Sequence, residues 1–308
     1  MNSEYKDQFS DSYSDRLRYA EPMAKHTSWR TGGVADIWFR PADRDELIGF
    51  LKDLDAKTPV HMVGLGSNLL VRDGGIRGIV IAVQNALADI QMLDDGRVSA
   101  EAGIACTVLA RFCVRRALGP AEFFAGIPGT VGGALAMNAG AFGGETWDQV
   151  ESVEVVDRAG SVHARQPDEY HIAYRQVDGP AVDEWFLGAV FRFTENYATN
   201  MDKVKTLVHE RREKQPLGLP SCGSVFRNPP DDFAARLIEE TGLKGHSIGG
   251  ATVSTKHANF IINEGTASAA DIEALISHIQ KEVAAKHDVF LRPEVHIIGE
   301  SGSGAKTS

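Results

Sequence analysis

Pro59-Val60-His61-Met62-Val63-Gly64-Leu65-Gly66-Ser67-Asn68-Leu69-Leu70 passes from a chain breaker through a short apolar run into a glycine turn. The β-branched valines and the bounding Pro and Gly favour a strand over residues 60–63. Just upstream, Asp43-x-x-Glu46 reads as a capping box with Asp at the N-cap, and Leu47, Phe50, Leu51 and Leu54 follow at helical spacing. Pro59 ends that helix. Asp36–Phe39 before it and Ile79–Val83 after the turn read as strands. Strand, helix, strand, glycine turn and strand in this order predict a small α+β or α/β unit.

Further along, residues 98–102 are strand-like, and residues 107–118 predict a helix stopped by Gly119. Phe123–Gly144 carries no charge over 22 residues, yet its seven glycines, Pro128 and Asn138 do not suit a spanning helix. Residues 151–156 and 161–165, joined by a turn, read as a hairpin, and 185–193 as another strand. Asn200 caps a helix that ends in Arg211-Arg212-Glu213-Lys214 before Pro216. The last part predicts a helix around 233–240 closed by Gly242, strands near 246–253 and 259–262, and a long helix opened by Ser268-x-x-Asp271. A final strand falls at 295–298.

The 308 residues suit about two domains. At 43% hydrophobic and 24% charged, the composition is that of a globular chain with a core, which excludes wholesale disorder, collagen and coiled coil. A net charge of −10 argues against a nucleic-acid binder. Cys106, Cys113 and Cys222 have no metal-ligand spacing and read as reduced thiols of a cytoplasmic protein. The ten histidines form no ligand set, so no metal site is expected. The polar N-terminus lacks the basic start and apolar run of a signal peptide, and no membrane association is expected.

Two glycine clusters stand out. Gly64 to Leu70 follows a strand, where missing Cβ atoms and left-handed dihedrals let successive N–H groups converge on an anion. In Gly126-Ile127-Pro128-Gly129-Thr130-Val131-Gly132-Gly133-Ala134, Gly129 or Thr130 can open a helix whose free N–H groups face a phosphate. Taken singly, each is as readily a tight turn. Neither fits the dinucleotide fingerprint or the P-loop pattern. Together they suggest a ligand with a pyrophosphate. Arg175, after Ile172-Ala173-Tyr174, is a fixed bidentate donor suited to a carboxylate, or a surface ion-pairing residue. Ser221 to Pro229 presents two serines and a thiol, and is not a nucleophile elbow. Glu294 stands at the mouth of the last strand, where a solvated strand end is the plain alternative.

Taken together and in order, these motifs resemble the bacterial UDP-N-acetylenolpyruvoylglucosamine reductase family, flavoenzymes that make UDP-N-acetylmuramate for peptidoglycan. The resemblance runs from about His26 to Glu300. It is carried by His26-Thr27-Ser28-Trp29-Arg30-Thr31-Gly32-Gly33, Gly64 to Leu70, Gly126 to Ala134 with Met137-Asn138-Ala139-Gly140-Ala141, and Tyr174-Arg175. Further along it rests on Gly223-Ser224-Val225-Phe226-Arg227-Asn228-Pro229, Gly245 to Asn263 and Pro293-Glu294-Val295. It implies an α+β chain with a two-subdomain FAD-binding domain of the vanillyl-alcohol-oxidase/PCMH type and a smaller α+β substrate domain. On that division residues 1–22 are a flexible lead, 23–84 and 85–199 the FAD subdomains, 200–300 the substrate domain, and 301–308 a disordered tail.

The resemblance also implies NADPH as reductant and FAD as cofactor. FAD would be non-covalent, because the first glycine cluster holds no histidine. FAD would be held by Gly64, Gly66, Ser67, Asn68 and Leu69, by Gly129, Thr130, Gly132, Gly133 and Ala134, and by Asn138 and Gly140. Hydride would reach the terminal vinyl carbon of the substrate, leaving negative charge on the adjacent carbon and its carboxylate. Arg175 matches the family residue that grips this carboxylate, Glu294 an acid that acts protonated beside it, and Ser224 the proton donor to the carbanion carbon. Lys214, Asn228 and either Lys256 or His257 match positions that bind uridine diphosphate, although the basic cluster at 211–214 also suits a helix C-terminus. Val177 after Gln176 and His296 after Val295 depart from the family pattern. The short segment between Phe193 and Gly223 places the chain in the subtype without a tyrosine-bearing loop. A monomeric enzyme is expected.

Overall fold

The computed structural model describes residues 11–302. The chain falls into two compact units that interleave along the sequence. The first takes the residues up to Arg18, Trp38–Leu65 and Ile79–Arg211; the second takes Tyr19–Ile37, Gly66–Gly78 and the chain from Arg212 onward. The division therefore falls inside the first glycine cluster and after Arg211, where the sequence predicts consecutive blocks with a boundary near residue 200.

Strands β1 (Leu17–Pro22) and β2 (Val34–Phe39) precede helix α1 (Arg44–Asp53); β3 (Val60–Val63), β4 (Leu69–Val71) and β5 (Ile76–Ala82) follow. The expectation of a flexible lead to residue 22 is corrected. Asp11–Arg16 forms a 3₁₀ turn, and β1 enters a four-stranded sheet of order β1-β2-β5-β3. Residues 1–10 and 303–308, the rest of the expected lead and most of the expected tail, lie outside the described residues.

In the first unit, α1 begins as its sequence predicts. Asp43 accepts from the Glu46 N–H at 2.9 Å, while the Glu46 carboxylate reaches back to the Ala42 N–H. Phe50 stacks on Phe39 at 3.8 Å between centroids, with Tyr13 edge-on to both. Beyond them lie β6 (Ile90–Met92), β7 (Val98–Glu101), α2 (Cys106–Val114) and α3 (Val131–Met137), and then the two-residue strands β8 (Gly140–Ala141) and β9 (Gly144–Glu145). The hairpin of β10 (Val150–Asp157) and β11 (Val162–Arg165) precedes β12 (His171–Ala173), β13 (Gln176–Asp178) and β14 (Glu184–Phe191). A five-stranded antiparallel sheet of order β11-β10-β14-β7-β6 is covered by the apolar faces of α2 and α3. Helix α2 stops earlier than predicted. Ala117 takes the left-handed conformation at φ 54°, and Leu118 N–H bonds back to Cys113 O at 3.1 Å, so the terminating turn is closed before Gly119.

The second unit contains α5 (Ala234–Glu240), the antiparallel strands β15 (Ser247–Ile248), β16 (Ala251–Val253) and β17 (Ile261–Asn263), α6 (Ala269–His287) and β18 (His296–Ile298). Helix α4 (Met201–Lys214) carries the chain across the division. Leu237, Ile272, Leu275, Ile276 and Ile279 pack with Trp29 into one core. Trp29 is fully buried and its indole N–H donates to Ile261 O at 2.8 Å. Thr31 donates to Ala267 O at 2.8 Å, and the Asn263 amide to Trp29 O at 2.8 Å. The motif at residues 26–33 is thus a plug for this core. The α6 N-terminus is doubly satisfied: Ser268 and Asp271 form the predicted capping box, and the Asp73 carboxylate accepts from the N–H groups of Ala269 and Ala270, both at 2.9 Å.

Candidate active site

The first unit builds its polar centre on the turn after α3. Asn138 ends that helix in the left-handed conformation, φ 45°. Phe142 and Gly143, both at positive φ, make the tight turn between β8 and β9. Arg175 occupies the turn between β12 and β13, also left-handed at φ 57°. Its guanidinium donates from Nη1 to Asn138 O and from Nη2 to Gly140 O, both at 3.0 Å, and Nη1 lies 3.8 Å from Glu145 Oε1. The Tyr174 ring lies 4.8 Å from the guanidinium carbon. Sequence reading placed Asn138 and Gly140 with the cofactor; here their carbonyls hold Arg175.

The second glycine cluster needs a correction. Thr130 does cap α3, accepting from Gly133 N–H at 3.4 Å. Yet the N–H groups of Val131 and Gly132 donate to Ile104 O and Ala102 O, both at 2.8 Å, and Ala134 N–H to Thr130 O at 2.9 Å. They are not the free donors expected at this helix start. The surface-exposed Gly133 remains open, with only Thr130 Oγ1 within 4 Å of an added Cβ, at 3.7 Å. Gly64 is required by protein packing, since a Cβ there would collide with Thr130 Oγ1.

In the second unit the rest of the first cluster sits beside residues far away in sequence. Gly66, φ 67°, passes so close to the His26 carbonyl that only glycine fits. Among the described residues no acceptor engages the N–H groups of Gly66 or Ser67, so this turn fits an anionic pyrophosphate. The Asn68 amide donates to Glu294 O at 2.9 Å, and its own carbonyl accepts from His296 N–H at 3.0 Å. There β4 and β18 pair in parallel, Leu69 opposite His296.

The segment after Ser224 lies against the same strand end. Glu294 N–H donates to Val225 O at 2.7 Å, and Arg227 N–H to Arg292 O at 2.9 Å. On the other edge, Asn259 pairs with Phe226 through both ends of its amide, at 2.9 and 2.8 Å, and its carbonyl accepts from Val225 N–H at 2.9 Å. Asn259 is buried and acts as a one-residue strand. It lay inside a recognised motif, but a lone Asn between Ala258 and Phe260 gave no signal of this use.

Glu294 is thereby bonded to the residue after Ser224, and its charge is felt by Cys222. Burial, then the Glu294 charge, pushes the Cys222 thiol well up, which makes it inert; burial likewise raises Cys106 and Cys113 to about 12. His296 has an exposed surface, but the protein packed around its ring and then the Arg227 guanidinium push it below the ordinary histidine range. It therefore adds no positive charge beside Glu294 near neutral pH.

The residues matched to uridine diphosphate are partly committed elsewhere. Asn228 Oδ1 accepts from Ala234 N–H at 3.1 Å, at the start of α5. Lys256 Nζ donates to Arg212 O at 2.7 Å, in the last turn of α4, and Lys214 is exposed at that helix end. The His257 ring lies 4.9 Å from Phe260, edge-on. Among the described residues no group of three or more His, Cys, Asp or Glu is placed to hold a metal ion, and no helix is long and apolar enough to cross a membrane.

A family model described as an FAD binding domain matches residues 35–164, and one described as the UDP-N-acetylenolpyruvoylglucosamine reductase C-terminal domain matches residues 215–298. With the glycine turn whose N–H groups are open, the first match defines an FAD-binding oxidoreductase of α+β fold. UDP-N-acetylenolpyruvoylglucosamine reductase from Alkalilimnicola ehrlichii is 56% identical over 93% of this chain and 96% of its own length. The enzyme of that name from Nitrosococcus oceani is 54% identical over 92% and 95%. The crystal structure of UDP-N-acetylenolpyruvylglucosamine reductase from Thermus caldophilus is 31% identical, with a TM-score of 0.75 over 90% of this chain and 97% of that one. This chain belongs to the UDP-N-acetylenolpyruvoylglucosamine reductase family.

Proposed function

We propose that this protein uses NADPH and FAD to reduce the enolpyruvyl group of UDP-N-acetylglucosamine enolpyruvate to the lactyl ether, giving UDP-N-acetylmuramate for peptidoglycan synthesis. The observation that carries the reading is the junction in the second unit. There Glu294 bonds through its N–H to the residue after Ser224 and through its carbonyl to Asn68 of the glycine turn. That the segment after Ser224 and the glycine turn both bond to Glu294 supports reading Ser224 and Glu294 as proton donor and acid.

Non-covalently bound FAD supplies hydride transfer from NADPH to the vinyl carbon. Gly64, Gly66, Ser67, Asn68 and Leu69 would hold it, as would Gly129, Thr130, Gly132, Gly133 and Ala134. Arg175 binds the substrate carboxylate and lowers the energy of the charge that develops there. Glu294 holds a proton next to that group, because an ionised carboxylate would repel it. Ser224 Oγ delivers a proton to the carbanion carbon; a hydroxyl is a weak acid, but the carbanion is a strong base. Lys214 and Asn228, with Lys256 or His257, bind the uridine diphosphate. The protein acts as a monomer in the cytoplasm.

An anaerobic titration tests this reading. The visible flavin band should bleach with NADPH and return only on addition of the enolpyruvyl UDP-sugar. A band that NADPH leaves intact, or that returns with a simple alcohol-derived carbonyl instead, rules the reaction out.

A further inference from the structure

Two arginines of the second unit meet across the pairing of 225–227 with 292–294. Phe226 and Pro293 form an isolated antiparallel bridge, and beside it Arg227 N–H donates to Arg292 O at 2.9 Å. The register therefore sets Arg227 opposite Arg292, and residues so placed in an antiparallel pair turn their side chains to one face. Like charges in that relation are unfavourable unless something neutralises them. No carboxylate does so: among the described residues neither guanidinium takes part in an ion pair. By contrast, Arg72, Arg97, Arg165 and Arg236 each meet one.

Arg227 is the more costly of the two. Arg292 is exposed, so water serves its donors. Arg227 is half-buried, and its Nε is shut off from solvent with no acceptor among the described residues. A desolvated, unpaired donor on a charged group destabilises a fold, and such groups are few in native proteins. The backbone cannot easily carry this one elsewhere. Phe226 before it is 1% exposed and clamped by both ends of the Asn259 amide. The next basic residue, His296, adds no charge near neutral pH, because burial and then the Arg227 charge hold it below the ordinary histidine range. Asn228, which follows, spends its Oδ1 on Ala234 N–H at 3.1 Å, and its amide N–H groups have no acceptor among the described residues. Donors without acceptors are thus gathered on fixed backbone.

We propose that Arg227, assisted by Arg292, binds the diphosphate of the UDP-sugar. A planar guanidinium fork matches phosphate oxygens two at a time, and an anion between the two arginines would remove both their mutual repulsion and the unpaired Nε. This rests on the reading of the protein as a reductase of a UDP-sugar, and it gives that reading a phosphate contact that the family motifs did not single out.

The test is calorimetric titration of the FAD-loaded enzyme with UDP and, separately, with uridine. Wild type should bind UDP the more tightly. Arg227→Met keeps the apolar stem and removes the fork; it should raise Kd for UDP about tenfold or more and leave Kd for uridine unchanged. KM for the enolpyruvyl UDP-sugar should rise in parallel. Arg292→Met, at an exposed position, should raise Kd for UDP about two- to fivefold, and it reports even if Arg227→Met does not load FAD. Without UDP, Arg227→Met should melt at or above the wild-type temperature, since an unpaired donor is gone, whereas a residue kept for the fold would lower it. Unchanged UDP binding in both variants, uridine weakened as much as UDP, or an effect confined to KM for NADPH overturns the proposal. A wild type that binds UDP no better than uridine overturns the UDP-sugar reading itself; discrimination that wild type shows and both variants retain removes only this arginine pair.

Discussion

Around Arg175 the first unit relies on side chains and charge: a guanidinium on two carbonyls, a carboxylate nearby, an amide between them, and left-handed residues at both corners. Around Ser224 and Glu294 the second unit relies on neutral backbone pairing, with the 225–227 segment laced to 292–294 on one edge and to Asn259 on the other. The first arrangement fixes a direction, as a bidentate donor needs. The second fixes a register, which sets Val225 opposite Glu294 whatever the charge of the side chains around them.

The largest effect that can break this contrast is on turnover. Ser224→Ala leaves the register intact but removes the hydroxyl proposed as proton donor, and should lower steady-state product formation by roughly 10²–10⁴. Normal turnover would mean that the register serves something other than protonation. Next comes Asn259→Ala, which strands the buried N–H and C=O of Phe226. At about 1–3 kcal/mol for each group, the loss of stability in a denaturant titration should be of order 3 kcal/mol. A loss under 1 kcal/mol would show that the 292–294 edge holds the segment unaided.

Acid should then separate the two units. Burial pushes the Glu122 carboxyl up, but bonds from Lys203, Thr199 and nearby N–H groups outweigh it and leave it below the usual 4.5. A carboxyl lowered by folding stabilises the protein above its unfolded value and loses that contribution as pH falls through the folded one. Lys203→Met should therefore cost roughly 1–2 kcal/mol at pH 7, the lysine end being half solvated, with the deficit shrinking below about pH 4.5. A deficit independent of pH would point to lost packing. The Asn259 deficit, made of neutral amides, should stay flat over the same range. Smallest is Ser268→Ala, at about 0.5–1 kcal/mol in thermal unfolding, because Asp73 still serves two N–H groups at that helix start.

Elements governed by local rules were legible. The Asp43 and Ser268 caps, the hairpin at 150–165 and the long amphipathic α6 are fixed by residues within a few positions of each other. The end of α2 was not, because an alanine takes the conformation expected of Gly119. Nor was β4, whose three residues become a strand only by pairing with β18 across more than two hundred positions. The site divides in the same way. Arg175, Ser224 and Glu294 were singled out by their side-chain types and by matching family motifs. The pairing of Asn259, and the use of the Asn138 and Gly140 carbonyls as acceptors for Arg175, depend on tertiary neighbours that no spacing encodes. Glycine density suggested a ligand at both clusters, yet at Gly64 and Gly66 the protein's own backbone and side chains already demand the missing Cβ.

Asn68 spans 226 positions of sequence to reach the Glu294 carbonyl. A shift of the 66–68 turn is therefore expected to carry residue 294 with it. The two segments are expected to drift as a pair in descent, or to stay still together.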